Sequence, residues 1–185
     1  MAVYSAIAAG EIDDESPITT GVVSKYVRNP EAVYENANKY GCYTADSAAL
    51  TNDATLNSDA SLLWTVSAGE VWYFEHWIYV TSTTNAHFRY KILTPSETAT
   101  GHYSERVWQY RGTGAGSTCA ITTRHTNTEV VITFIATSCV LMLAGWTYPS
   151  AAGSVTFQWA QGTSHGDSTI LKQGSHFWAR CQNYI

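Results

Sequence analysis

Ser164-His165-Gly166-Asp167 brings the three residue types of a nucleophile–base–orienter triad into one short stretch. A triad is a line of hydrogen bonds in space, and neighbours within a single loop do not form one, so the stretch reads as an exposed turn. Glu70, Glu75, Glu97, Glu105 and Glu129 could supply a carboxylate pair for sugar hydrolysis. That chemistry depends on the distance between two carboxyl groups, which their positions along the chain do not fix. The six histidines, His76, His87, His102, His125, His165 and His176, are scattered, with no pair at i, i+2 on a strand or i, i+4 on a helix. Gly112-Thr113-Gly114-Ala115-Gly116 lacks the Lys-Ser/Thr of a phosphate loop and precedes no helical pattern. Cys42, Cys119, Cys139 and Cys181 form no C-x-x-C pair and have no histidine at metal spacing. They read as free thiols behaving as small hydrophobes, with disulfides formed after release from the cell as the alternative. The expectation is therefore no catalytic residue, no cofactor and no metal.

The elements that would carry these residues are mostly strands. From Ser61 onward apolar residues recur with period two: Leu62, Trp64 and Val66, then Trp72, Phe74, His76, Ile78 and Val80. The opposite face of that second run carries Val71, Tyr73, Glu75, Trp77 and Tyr79. Phe88, Tyr90 and Ile92 alternate with His87, Arg89 and Lys91, the pattern of a half-exposed antiparallel strand. Further strands are expected at Tyr103–Tyr110, Cys119–Thr123, Val130–Thr137, Val140–Ala144, Val155–Trp159, Thr169–Leu171 and His176–Gln182. Nine or ten short strands with turn residues between them and no helix among them predict an all-β, antiparallel, jelly-roll-like β-sandwich over residues 61–185.

Before Ser61 the pattern differs. Ser16-Pro17 is a helix start, with Ser as N-cap and Pro at the first helical position, and Asp13, Asp14 and Glu15 favour the positive helix end. Ile18, Val22, Tyr26 and Val33 follow at near-helical spacing, broken at Asn29-Pro30, with a second helix from Pro30 to about Asn38 that Gly41 ends. Residues 1–41 thus read as a short helical arm. Its apolar stripe needs something to lie on, either its own domain or a neighbouring subunit. Residues 42–60 have the composition of a linker, with a short extended piece around Leu50 and Leu56.

The charge balance excludes some partners. Net charge is −5 and Lys and Arg nowhere cluster, so phosphate neutralisation, and with it nucleic acid, is set aside. Val130–Trp146 is too short and too polar to span a bilayer, and Met1–Gly10 lacks the basic and apolar regions of a signal peptide, so assembly in a cytoplasm is expected. Only 14% of residues are charged, whereas Trp numbers seven and Tyr twelve. Trp and Tyr combine large area, few rotors and a polar tip, which suits interfaces. If Trp72, Phe74 and Ile78 fill the core, Tyr73, Trp77 and Tyr79 must be covered by a sister subunit or by the arm, or else stack on sugars. Gln158 and Gln161 are candidates for hydrogen bonds across a subunit seam, with plain surface exposure as the alternative.

Two segments resemble structural proteins of tailed bacteriophages. Ile7–Ile12 through Ser16-Pro17-Ile18-Thr19 to Asn29-Pro30-Glu31-Ala32-Val33 is similar to the opening segment of many phage fibre and decoration proteins. Ala152–Gln161 followed by Thr169–Ser175 is similar to the C-terminal hairpin region of phage jelly-roll domains. Ala68-Gly69-Glu70 and Ile92-Leu93-Thr94-Pro95 fit the same pattern, so the resemblance spans most of the chain. It implies a protein displayed on the virion exterior, often a homotrimer; with the reading of the residues, the expectation is a non-enzymatic protein whose partners are major capsid, neck or tail proteins, with host-surface glycan as the alternative partner.

Overall fold

The computed structural model describes residues 34, 36–96, 101–110, 118–133 and 137–183, with residues 110 and 118–120 by their backbone alone. Among these, eleven strands follow one another: β1 (Asn38–Cys42), β2 (Asn57–Val66), β3 (Trp72–Thr81), β4 (Phe88–Leu93), β5 (His102–Tyr110), β6 (Thr118–His125), β7 (Val130–Ile132), β8 (Ser138–Thr147), β9 (Gly153–Ala160), β10 (Ile170–Leu171) and β11 (His176–Cys181). The larger sheet runs β1-β11-β3-β8-β5-β6, with β10 also on β3, and the smaller runs β2-β9-β4-β7. Every registered pair is antiparallel.

Setting aside the β5–β6 hairpin and the short β10, eight strands remain, paired first-eighth-third-sixth against second-seventh-fourth-fifth. This is the double Greek-key order of a jelly roll, and the hairpin widens one of its sheets.

Period two decides which way each strand faces. Trp72, Phe74, His76, Ile78 and Val80 of β3 are buried and the residues between them are half-buried, in the register the alternation predicts. Leu141 and Leu143 of β8, Phe88, Tyr90 and Ile92 of β4, and Val155, Phe157 and Trp159 of β9 complete the layer between the sheets. Each large side chain removed from water there stabilises the fold by roughly 1.5–3 kcal/mol before entropy is counted. The β8 ladder runs ten pairs along β3 and nine along β5. It closes tightly at Gly145, where a Cβ would lie 2.2 Å from the His102 carbonyl oxygen and 2.4 Å from the Tyr103 Cα.

Two expectations before Ser61 are corrected. The helix expected to run to about Asn38 and end at Gly41 gives way at Asn38 to β1, which pairs with β11 over five residues, from Asn38↔Arg180 to Cys42↔His176. Gly41 is there because a Cβ would meet the Ser61 carbonyl oxygen at 2.4 Å and the Phe177 ring at 2.6 Å. Residues 42–60 are not a free linker either. Tyr43, Ser47, Leu50 and Asn52 donate backbone hydrogen bonds to Ser175, Leu171, Thr169 and His165, and β2 already begins at Asn57. Small polar residues read as a linker because they bury little apolar surface, but their amides are tied to the sandwich all the same. The earlier arm, with Ile18, Val22, Tyr26 and Val33, lies outside the described residues.

Candidate docking surface

The outward residues of the larger sheet line up in rows across the strands. One row reads Asn38, Arg180, Tyr73, Trp146, His102 and His125. The next reads Tyr40, Trp178, Glu75, Ala144, Ser104 and Thr123, and the one after it Cys42, His176, Trp77, Met142, Arg106 and Ile121. Tyr79, Val140 and Trp108 follow. Tyr73 lies 5.2 Å from Trp146 and 6.1 Å from Trp178, both edge-on, and its hydroxyl donates to Glu75 Oε1 at 2.8 Å. Burial and that carboxylate push the Tyr73 hydroxyl up to about 12. Trp77 and Trp108 lie parallel with ring centroids 6.4 Å apart. Tyr40 and Trp178, directly paired at the β1 edge, are 65% and 37% exposed.

The outward face of the smaller sheet has a different composition. It interleaves Arg89, Lys91, Gln158 and Thr65 with Leu63, Leu93 and Val131, and among the described residues no aromatic ring stands on it. Arg89 is held by Glu129 at 3.2 Å and by the Ala54 and Gly162 carbonyls at 3.3 and 3.1 Å. The aromatic surplus thus lies on one side of the sandwich.

The structure brings Tyr73, Trp77 and Tyr79 onto this aromatic face. Gln158 is on the other side, where its Nε2 donates to Ser58 Oγ at 3.1 Å. Gln161 is a correction: it is fully buried and its amide is saturated within the chain. Its Oε1 accepts from the Asp53 and His165 amides, and its Nε2 donates to the Leu50 and Asp167 carbonyls. It pins the 50–53 segment to the loop after β9 and has nothing to offer a partner. Tyr40, Trp108, Trp146 and Trp178 belong to the face but were not singled out from sequence. Each has the outward parity of its own strand, yet only the strand pairing shows that the four strands share one surface.

Several of the chemistry-bearing residues have partners within the fold. Asp167 accepts from Thr83 Oγ1 at 2.7 Å and Asn85 Nδ2 at 3.3 Å, which together hold its carboxyl below the usual range, and it lies 3.2 Å from His165 Nδ1. This ties the loop after β9 to the turn between β3 and β4. Glu70 accepts from the Ser67 amide and Trp72 Nε1 and so closes the β2–β3 turn. Glu105, 2% exposed, accepts from the Tyr90 hydroxyl and from Arg124 Nη2 at 3.1 Å. Cys139 is buried, which raises its thiol to about 12 and leaves it in its unreactive protonated form. Among the described residues no group of three or more His, Cys, Asp or Glu could hold a metal ion, and no helix is long and apolar enough to cross a membrane.

Fold and face together define a jelly-roll sandwich with one aromatic and one polar side. No protein-family model matches the chain, and no curated protein matches it in sequence. Among solved structures it is similar to the Eiger TNF of S. frugiperda, with 9% identity over 80% of this chain and 93% of that one, at a TM-score of 0.34. The N-terminal CBM22-1–GH10 modules of Clostridium thermocellum xylanase 10B, complexed with xylohexaose, match with 14% identity over 73% of this chain and 28% of theirs, at a TM-score of 0.19. The infectious bursal disease virus Gx strain structure matches with 7% identity over 77% and 40%, at 0.17. At such scores the architecture rests on the strand order described above.

Proposed function

We propose that this chain is a non-enzymatic structural protein of a tailed-phage particle, a homotrimeric capsid-decoration or collar-type appendage on the virion exterior. In this reading the segment preceding β1 attaches to major capsid, neck or tail proteins, and the aromatic face of the larger sheet is covered by sister chains. The single observation that carries the proposal is the one-sided placement of Tyr40, Trp178, Tyr73, Trp146, Trp77, Trp108 and Tyr79. Soluble monomers seldom leave a contiguous apolar patch beyond a few hundred Å². Six strands at about 4.8 Å spacing and a ten-residue β3 give the whole outward face, its polar residues included, a footprint of roughly 700 Å². That is close to the ~800 Å² each partner commits to a stable interface. The two phage-like segments of the sequence supply the particle context.

Light scattering on the purified protein tests the assembly: three copies are expected at micromolar concentration, and a monomer there would refute it. Trp77→Ala, which removes a central ring, should raise the dissociation constant about 30-fold or more and leave the fold intact. Immunogold labelling of particles tests the location, with label on head or collar expected and no label on any particle refuting it.

A second reading, a tail or fibre module that recognises host glycan or surface protein, is favoured by the polar handles Glu75, His176 and Arg180 beside the exposed Tyr40 and Trp178. It requires saturable binding of the protein to susceptible cells, lost in Trp178→Ala.

A further inference from the structure

The two sheets meet at an open seam, where β1, at one edge of the larger sheet, faces β2, at one edge of the smaller. Among the described residues no strand pairing joins the two, and Gly41 abuts Ser61 and the Phe177 ring there. Beside that contact a cleft of about 530 Å³ opens between Lys39 on β1, Leu63, Trp64 and Thr65 on β2, and Phe177 on β11. Trp64 and Phe177 form its inner wall, 2% and 1% exposed and stacked with ring centroids 5.2 Å apart. Behind them lies His76, 5.8 Å from the Trp64 ring and 5.7 Å from that of Phe177, its direct cross-strand neighbour. One layer of rings thus separates the cleft from a fully buried imidazole with no hydrogen-bond partner on either nitrogen. Trp64 Nε1 is buried without a partner as well. An apolar side chain at position 76 would leave no such orphans. All three polar atoms gain hydrogen bonds if water enters at this seam.

We propose that the β1–β11 edge is an acid-operated gate: protonation of His76 swings this edge away from β2 and β3 and admits water through the cleft, while the rest of the sandwich stays folded. The inference goes beyond the assembly proposed above and does not depend on it. An imidazolium at this position has no counter-charge within the closed fold. Asp59 on β2 already accepts from the Tyr43 hydroxyl, Trp159 Nε1 and the Ser61 amide, and Glu75 on β3 has the outward parity of its strand. Lys39 on β1 lines the cleft with like charge, and His176 and Arg180 on β11 face outward. β8 and β11 add only the buried thiols Cys139 and Cys181, and β9 has no ionisable residue. The charge is therefore relieved only by water, and the thinnest barrier to water is the Trp64–Phe177 wall. β11 carries half of that wall and β1 is held to the sandwich chiefly through β11, so the two strands move as one edge. Local openings of this kind are set by the few contacts that close them.

Amide hydrogen exchange on the full chain, read by mass spectrometry as protection relative to unstructured peptide at the same pH, tests the gate. In the open edge the imidazole takes its ordinary pKa of 6.5, against about 3 in the closed one. Between pH 7 and pH 4.5 the opening constant therefore rises about 70-fold. Protection of β1 and β11 is expected to fall by that factor, while β4, β5 and β9 change by no more than about threefold. His76→Leu should hold β1 and β11 within about threefold over the same range, and this comparison cancels the titration of every other group. Should His76→Leu fail to fold by circular dichroism, His76→Phe takes its place and keeps a ring in the cage. A loss of protection spread evenly over both sheets would show that the sandwich opens as a whole and would overturn the gate. Unchanged protection of β1 and β11 in acid, or an equal loss in the His76 variant, would overturn it too.

Discussion

His76 gives the fold a measurable weakness in acid. It is fully buried on β3, with the rings of Trp64, Phe74, Phe157 and Phe177 at centroid distances of 5.8, 5.7, 5.5 and 5.7 Å. Neither ring nitrogen has a hydrogen-bond partner. Burial, with a smaller contribution from the charge on His176, lowers its pKa from 6.5 to about 3. The unfolded chain therefore binds a proton between about pH 6.5 and 3 that the folded chain refuses, and stability falls as the pH drops through that window. The loss approaches ~1.4 kcal/mol per pH unit and amounts to about 2 kcal/mol between pH 8 and pH 5. His76→Leu removes the titrating group and two unpaired polar atoms from the core. Urea unfolding at pH 8, 6 and 5 should show the wild type losing about 2 kcal/mol more than the variant, since the exposed histidines are common to both and cancel. Parallel pH profiles for the two proteins would refute the reasoning.

Three further substitutions probe how the sandwich is held. Gly145→Ala forces a Cβ into the His102–Tyr103 backbone and should cost more than about 3 kcal/mol in urea unfolding, whereas Gly166→Ala, with nothing within 4 Å, should stay within about 0.5 kcal/mol of wild type. Asp59→Ala strands the Tyr43 hydroxyl and Trp159 Nε1, both of which donate to the 6%-exposed carboxylate, and should cost about 2–4 kcal/mol, seen as a lowered Tm.

How much of this was legible in the sequence depends on the length of the pattern. β3 was read with its two faces correctly separated, which of them fills the core being left as a condition, because ten residues alternate without interruption. β8 was read short, at Val140–Ala144, because Gly145 interrupts the apolar run that Trp146 and Thr147 continue; only the close approach of β5 explains that glycine. β1 was hidden because five residues containing Gly41 carry no apolar alternation, and their strand state comes from pairing with β11, more than a hundred residues away. The face was half legible for the same reason. Tyr73, Trp77 and Tyr79 share one strand, while Tyr40, Trp108, Trp146 and Trp178 join them only through register. Gln161 looked like a surface amide because sequence cannot show that Asp53, Leu50, His165 and Asp167 converge on it.

Hydroxyl-radical footprinting of the purified protein across a dilution series, read by mass spectrometry, asks directly which side of the sandwich is covered. Trp77, Trp146 and Trp178 should be protected at high concentration and become reactive on dilution, while Leu63, Leu93 and Val131 on the smaller sheet react alike throughout. Rings on the larger sheet that react equally at every concentration would contradict the account.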